Sequence, residues 1–121
     1  MADIAKTALT RDAGTAITFL NGAADQDIVA DVKDDKLFLL ITNADATTAR
    51  IRAKAGDGIQ GVAGDAYVDV AQNAYAILGP FTGMRFKDVD TGKINVDITG
   101  TNDAAFGGTI TNVKVRPIVL P

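Results

Sequence analysis

Apolar residues recur at every second position along most of this chain. Ile28, Ala30 and Val32 alternate with Asp27, Val29, Asp31 and Lys33. Ala49, Ile51, Ala53 and Ala55 alternate with Thr48, Arg50, Arg52 and Lys54, and Ile94, Val96 and Ile98 alternate with Lys93, Asn95 and Asp97. Successive side chains of a strand point to opposite faces, so this pattern predicts strands with one buried and one wetter side. Further strands are predicted over residues 16–20, 67–70 and 74–78, around Met84 and Phe86, and from Ile110 through Val115. Turn chemistry separates them: Asn21 with Gly22, Asp34 with Asp35, residues 43–45, the glycine-rich stretch 56–64, Gly79 with Pro80, residues 90–92 and the loop 100–108. About nine short strands, with turn signals every 8–12 residues, indicate an all-β fold. No helical pattern of 10–15 residues intervenes, which sets aside a βαβ sheet. The expected architecture is an antiparallel β-sandwich of jelly-roll type over residues 15–121, preceded by a flexible N-terminal arm, residues 1–14.

Three places qualify that pattern. Residues 37–41, Leu-Phe-Leu-Leu-Ile, are apolar on both faces. Such a strand is buried on both sides or turns one side to another subunit. The inward parity changes between Ile110 and Val113, which predicts a bulge near Thr111 and Asn112. Pro117 has no N–H to give a ladder and places the end of its strand at a sheet edge.

Composition then removes most chemistry. The 121 residues contain no Cys, His, Trp, Ser or Glu, and all 15 acidic residues are Asp. Thiol and serine nucleophiles, an imidazole proton shuttle and the usual zinc, haem and iron–sulfur ligands are therefore missing. The expectation is a protein that is not an enzyme and needs no cofactor. No apolar run approaches the ~18 residues that span a bilayer, and residues 1–6 lack the apolar core of a signal peptide, so no membrane partner is expected. The net charge of −3 argues against a nucleic-acid partner.

Four motifs resemble functional ones. Residues 56–61 spell G-x-G-x-x-G, but a dinucleotide site needs a helix after the glycines, and the strand pattern at residues 67–70 leaves no room for one. Asp88, Asp90 and Gly92 resemble the start of a calcium loop whose glycine comes one position early and whose closing Glu is absent. A hairpin turn is the simpler reading, with a loosely bound calcium ion at Asp88 and Asp90 left open. Asp25, Asp27, Asp31, Asp34 and Asp35 form an acidic run that reads as a solvated strand face. Arg50, Arg52 and Lys54 share one strand face, either as a basic stripe for an acidic partner or as cations paired with aspartates on neighbouring strands. Among the aromatic residues, Phe38 and Phe86 read as core, while Tyr67 and Tyr75 are the rings able to stack a sugar. That gives the alternative function of a carbohydrate-binding or adhesion module on a virion or cell surface.

The phrases Ile51-Arg52-Ala53-Lys54-Ala55-Gly56-Asp57-Gly58, Ile77-Leu78-Gly79-Pro80-Phe81, Met84-Arg85-Phe86, Gly92-Lys93-Ile94-Asn95-Val96-Asp97 and Val113-Lys114-Val115-Arg116-Pro117 resemble small β-sandwich capsid decoration (cement) proteins of tailed double-stranded DNA phages. The similarity is one of pattern and spans roughly residues 15–117. It implies a structural virion protein on the capsid surface, partnered by the major capsid protein, assembled as a trimer or dimer, with no catalytic residues. The surfaces expected to meet such partners are Ile4 and Leu9 in the arm, Leu37, Leu39 and Ile41 in the doubly apolar strand, Arg50, Arg52 and Lys54 on the basic stripe, and Ile118 and Leu120 in the apolar tail.

Overall fold

A computed structural model describes residues 2–30, 36–56, 64–81, 86–88 and 91–121. The alternating segments form strands: β1 (Ala2–Asp3), β2 (Thr7–Ala8), β3 (Leu20–Asn21), β4 (Asp25–Val29), β5 (Leu37–Asn43), β6 (Ala49–Ala53), β7 (Ala66–Val70), β8 (Tyr75–Leu78), β9 (Lys93–Thr99) and β10 (Val113–Val119). They make two sheets. The first has the order β1-β4-β9-β6-β7, and the second β2-β10-β5-β8, with β3 also on β10. The all-β expectation holds, but the sheets are mixed: β1 lies parallel to β4, and β2 parallel to β10.

One apolar cluster joins the sheets. Alternate residues of β5 (Leu37, Leu39, Ile41), β6 (Ala49, Ile51, Ala53), β9 (Ile94, Val96, Ile98) and β10 (Val113, Val115) are buried in it with Ile28 and Val70. These are the apolar positions of the period-two pattern, and truncating a fully buried Ile or Leu to Ala costs roughly 2–5 kcal/mol. Gly22 marks where the sheets close together. Its N–H donates to the Val113 carbonyl at 2.7 Å, and a Cβ there would lie 2.5 Å from that carbonyl oxygen and 2.6 Å from Ile98 Cδ1.

A single buried amide bolts one end of the sandwich. Asn43 is fully buried at the end of β5. Its Nδ2 donates to the Thr47 and Val70 carbonyls, both at 2.9 Å, and its Oδ1 accepts the Asp45 N–H at 2.9 Å. Its own carbonyl accepts the Asn73 N–H at 2.6 Å. One side chain thereby ties the second sheet to β7 of the first and fixes the turn into β6.

Several expectations need correction. The arm does not wait for a partner: Ile4 is buried in the core cluster, and β1 and β2 pair with opposite sheets of the same molecule. Residues 16–19 belong to no strand, and Asn21 lies in β3 instead of a turn. The parity change before β10 comes from a 3-10 turn at Ile110–Asn112, not from a bulge. Phe38 is half-buried on the outer face of β5, outside the core. Pro117 is fully buried opposite Leu39 on an interior strand. The Val113 and Val119 carbonyls accept from Gly22 and Leu9, away from β5. Pro117 has the same parity, so its missing donor falls between the segments paired with β3 (Lys114, Val115) and β2 (Ile118, Val119). The proline marks a gap in one ladder. Val32, Lys33, the turn at Asp34 and Asp35, and most of the 56–64 loop lie outside the described residues.

Two stability outcomes follow. Asn43→Ala strands buried carbonyls and lowers unfolding free energy by roughly 2–3 kcal/mol, read as a shift in urea midpoint at unchanged slope. Ile4→Ala empties the slot under the arm and lowers it by roughly 2–4 kcal/mol; a midpoint equal to that of the wild-type protein would show that the arm adds nothing to the fold.

Candidate interaction surfaces

Each sheet has an outer face, and the two differ in chemistry. On the first sheet, Arg50 and Arg52 project outward from β6 between β7 and β9. Arg50 stands opposite Asp69 and grips it with Nε at 2.8 Å and Nη2 at 3.2 Å. The Tyr67 ring lies 4.0 Å from the Arg50 guanidinium carbon, within cation–π range. Arg52 stands opposite Asp97 and grips it with Nε at 2.9 Å and Nη2 at 2.6 Å. Lys54 Nζ approaches the same carboxylate at 3.7 Å. The pairing with aspartates is therefore the arrangement found: two bidentate forks already hold carboxylates, the geometry in which a guanidinium binds most firmly.

Of the acidic run, only Asp25 and Asp27 fall within the described residues, on one face of β4. Asp25 faces Asp97 across the β4–β9 ladder, Asp27 accepts from Asn95 Nδ2 at 3.0 Å, and Asp31, Asp34 and Asp35 lie outside the described residues. The Asp88 segment is a hairpin turn: the Gly92 N–H donates to the Asp88 carbonyl at 2.8 Å, and the Asp88 N–H donates to the Lys93 carbonyl at 2.9 Å. Asp90 lies outside the described residues. Among the described residues, no group of three or more acidic side chains is arranged to hold a metal ion.

The outer face of the second sheet carries an apolar area over β5 and β8, flanked by Thr42 and by Lys114 and Arg116 of β10. Leu40 pairs with Ile77, and Phe38 with Ile118. With Leu9 and Ile17 they line a groove of about 350 Å³ between the sheet and the chain that follows the arm. Tyr75 and Ile77 stand out from it, 71% and 59% exposed. Ile77 thereby adds an exposed branched aliphatic side chain beside the other apolar groups of this area.

The residues expected to meet a partner divide accordingly. Leu37, Leu39 and Ile41 are inside the sandwich at 2%, 0% and 0% exposure and have no surface to offer. Their strand neighbours Phe38 and Leu40 carry the outer face. Ile4 is buried in the core, and Ile118 is buried beneath the groove. Leu9 is half-buried in the groove wall, and Leu120 is 36% exposed where β10 ends. Arg50, Arg52 and Lys54 are engaged by aspartates. Tyr75 and Ile77 complete the apolar face. Their alternation with Ala76 and Leu78 was visible, but not which parity faced outward. Tyr67 and Tyr75 lie on opposite sheets, so they do not form one sugar-stacking platform; Tyr67 carries Arg50, and Tyr75 leans on Phe19 with ring centroids 6.2 Å apart.

Two carboxyls are held below the usual range. Asp45 accepts the backbone N–H groups of Thr47 (2.9 Å) and Thr109 (2.8 Å) and the amide of Asn112 (3.2 Å), and these bonds favour its charged form. The Arg50 hydrogen bond does the same for Asp69.

In comparison with known proteins, no family model matches the chain, and neither a curated protein nor a solved structure matches it.

The two lowered carboxyls set a direction with pH. Each binds its proton more readily in the unfolded chain, so acid favours unfolding. Their stabilisation is complete above the ordinary carboxylate value near ~4 and is lost as pH falls through it towards the folded values. Thermal midpoints between pH 6 and pH 2.5 should fall less steeply in Asp45→Asn or Asp69→Asn than in the wild-type protein.

Proposed function

We propose that this protein is a structural virion component: a capsid decoration protein that binds the major capsid protein on the outside of a tailed-phage capsid and acts as a homo-oligomer. The observation that carries this reading is the apolar outer face of the second sheet, where Tyr75 and Ile77 stand exposed beside Phe38 and Leu40. A cement protein acts by contact alone, through modest interfaces repeated over a symmetric lattice so that avidity supplies the stability. A rigid sandwich with one apolar face suits that task.

The wiring supports a jelly roll, a fold used by capsid proteins. The antiparallel pairs β3 with β10, β4 with β9, β5 with β8 and β6 with β7 nest inside one another in sequence, as they do in a long hairpin rolled into two sheets. The charge-paired face of the first sheet then looks to solvent, and the apolar face of the second sheet meets the capsid.

The test uses purified capsids of the encoding phage, stripped of this protein. Ile77→Asp places a charge at the centre of the contact while leaving the core untouched. Its capsid occupancy, measured by co-sedimentation, should drop at least tenfold with the thermal midpoint unchanged. Occupancy equal to wild type would remove this face from the contact, and failure of the wild-type protein to bind would remove the capsid reading itself.

A further inference from the structure

The way the arm is held points to a use of the side of the sandwich that it covers, between β4 and β10. Residues 2–9 cross from one sheet to the other over the side of the sandwich. The Ile4 N–H donates to the Asp27 carbonyl at 2.8 Å, and the Leu9 N–H to the Val119 carbonyl at 2.8 Å. Between them Ile4 fills a core slot, Lys6 Nζ donates to the Val29 carbonyl at 2.8 Å, and Arg116 Nε donates to Thr7 Oγ1 at 2.6 Å. Outside, Lys93 pairs with Asp3 at 3.0 Å. Every one of these partners belongs to β4, β9 or β10. The arm is thus a short peptide ligand, with matched apolar, ionic and ladder groups, tethered to its own receptor.

The tether is long for what it joins. β2 ends opposite Val119, and β3 begins opposite Val115. Four strand residues correspond to roughly 13 Å. The intervening segment, residues 10–19, belongs to no strand, and residues 10–18 are exposed except for the half-buried Ile17. Ten residues can extend to about 33 Å, close to the diameter of a domain this size. Gly14 lies in the middle of it, exposed and with open space around its Cα.

We infer that the arm exchanges between copies: residues 2–9 of one molecule occupy the β4–β10 groove of a second, and the second returns its own arm to the first. The occupant of the groove is then another copy of this chain. All arm contacts are the same in the exchanged pair, so only the tether and the association entropy distinguish the two forms. A tether of this length gives the arm an effective concentration of the order of millimolar over its own groove. Exchange therefore competes when copies are gathered to similar density. The inference does not depend on the capsid reading, since it concerns two copies of this chain in solution.

The ion pair on the outside of the groove makes the exchange measurable. Asp3 and Lys93 are partly exposed, 46% and 33% by side chain, so a carbodiimide can join them: the carboxylate adds to it as an O-acylisourea, and Lys93 Nζ displaces the urea to form the amide. Full-length protein labelled with 15N is mixed with unlabelled protein, incubated from 10 µM to 2 mM, cross-linked and digested. Peptides joining Asp3 to Lys93 are then read by mass, and oligomeric state is read by light scattering on the same samples. Arm exchange predicts mixed-isotope peptides that rise with concentration towards half of the total, in step with the dimer. Single-isotope peptides at every concentration would overturn it, whether or not a dimer forms, because a dimer joined through another face keeps each arm at home. Unmixed peptides would leave the capsid test unaffected, and equal capsid occupancy of Ile77→Asp would leave arm exchange unaffected.

Discussion

A sandwich of two short-stranded sheets needs something to hold its layers in one relative position, because apolar side chains alone tolerate sliding. Asn43 supplies it. A buried amide is stable only with its donors and acceptors matched, and here the matches come from the other sheet and the adjoining turn: Val70 from β7, and Thr47 and Asp45 from the turn into β6; the Asn43 main-chain carbonyl adds the Asn73 N–H from the turn into β8. Any sliding of β5 against β7 would break bonds in a place where water cannot replace them. Asp45 extends the network outward to Thr109 and Asn112 before β10. The outer faces inherit their geometry from this point. β6 leaves the turn with Arg50 and Arg52 outward, and β8 leaves its own turn with Tyr75 and Ile77 outward.

The two faces show how one alternating pattern yields different surfaces. On the first sheet, the outward positions of β4, β6, β7 and β9 are mostly charged, and the register sets Arg opposite Asp twice. Those pairs satisfy one another and leave a surface that interacts well with water. On the second sheet, Phe38, Leu40 and Ile77 face outward and cannot be satisfied by pairing, only by cover, while Thr42, Lys114 and Arg116 border them. The segment after the arm covers Phe38 and Leu40 in part and leaves Ile77 open. The contrast argues that the second face, not the first, is where binding free energy is available to a partner.

Much of this was readable from local pattern. β4, β6 and β9 alternate cleanly, and Ile28, Ile51, Ile94, Val96 and Ile98 are buried as their parity implies. Three kinds of feature were not readable. β1 and β2 are two residues each, too short for any period, and β2 finds its partner in β10 at the far end of the chain. Leu39 and Phe38 are equally apolar, so the strand itself gives no reason to send one inward; Leu39 shares its inner position with Leu78 and Pro117 across the sheet. Asn43 resembles a turn residue, and its burial depends on carbonyls supplied by β7. The Arg–Asp pairs stood between: the sequence supplied cations on one face and aspartates on other strands, while their matching required the register.

The edges bring these observations together. A sheet edge with free N–H and C=O groups invites unregulated pairing, and proteins cover or shorten such edges. Here the first 21 residues do both jobs at one side of the molecule. β1 covers the outer side of β4, and β2 and β3 share the outer side of β10, meeting at the gap that Pro117 leaves. That cover is made by short strands, one apolar anchor and a few polar contacts. The arm fills three positions along this edge at once: a core slot with Ile4, the side of Lys93 with Asp3, and the side of Arg116 with Thr7. In the proposed exchange, protection of the edge and recognition of a second copy are the same set of contacts.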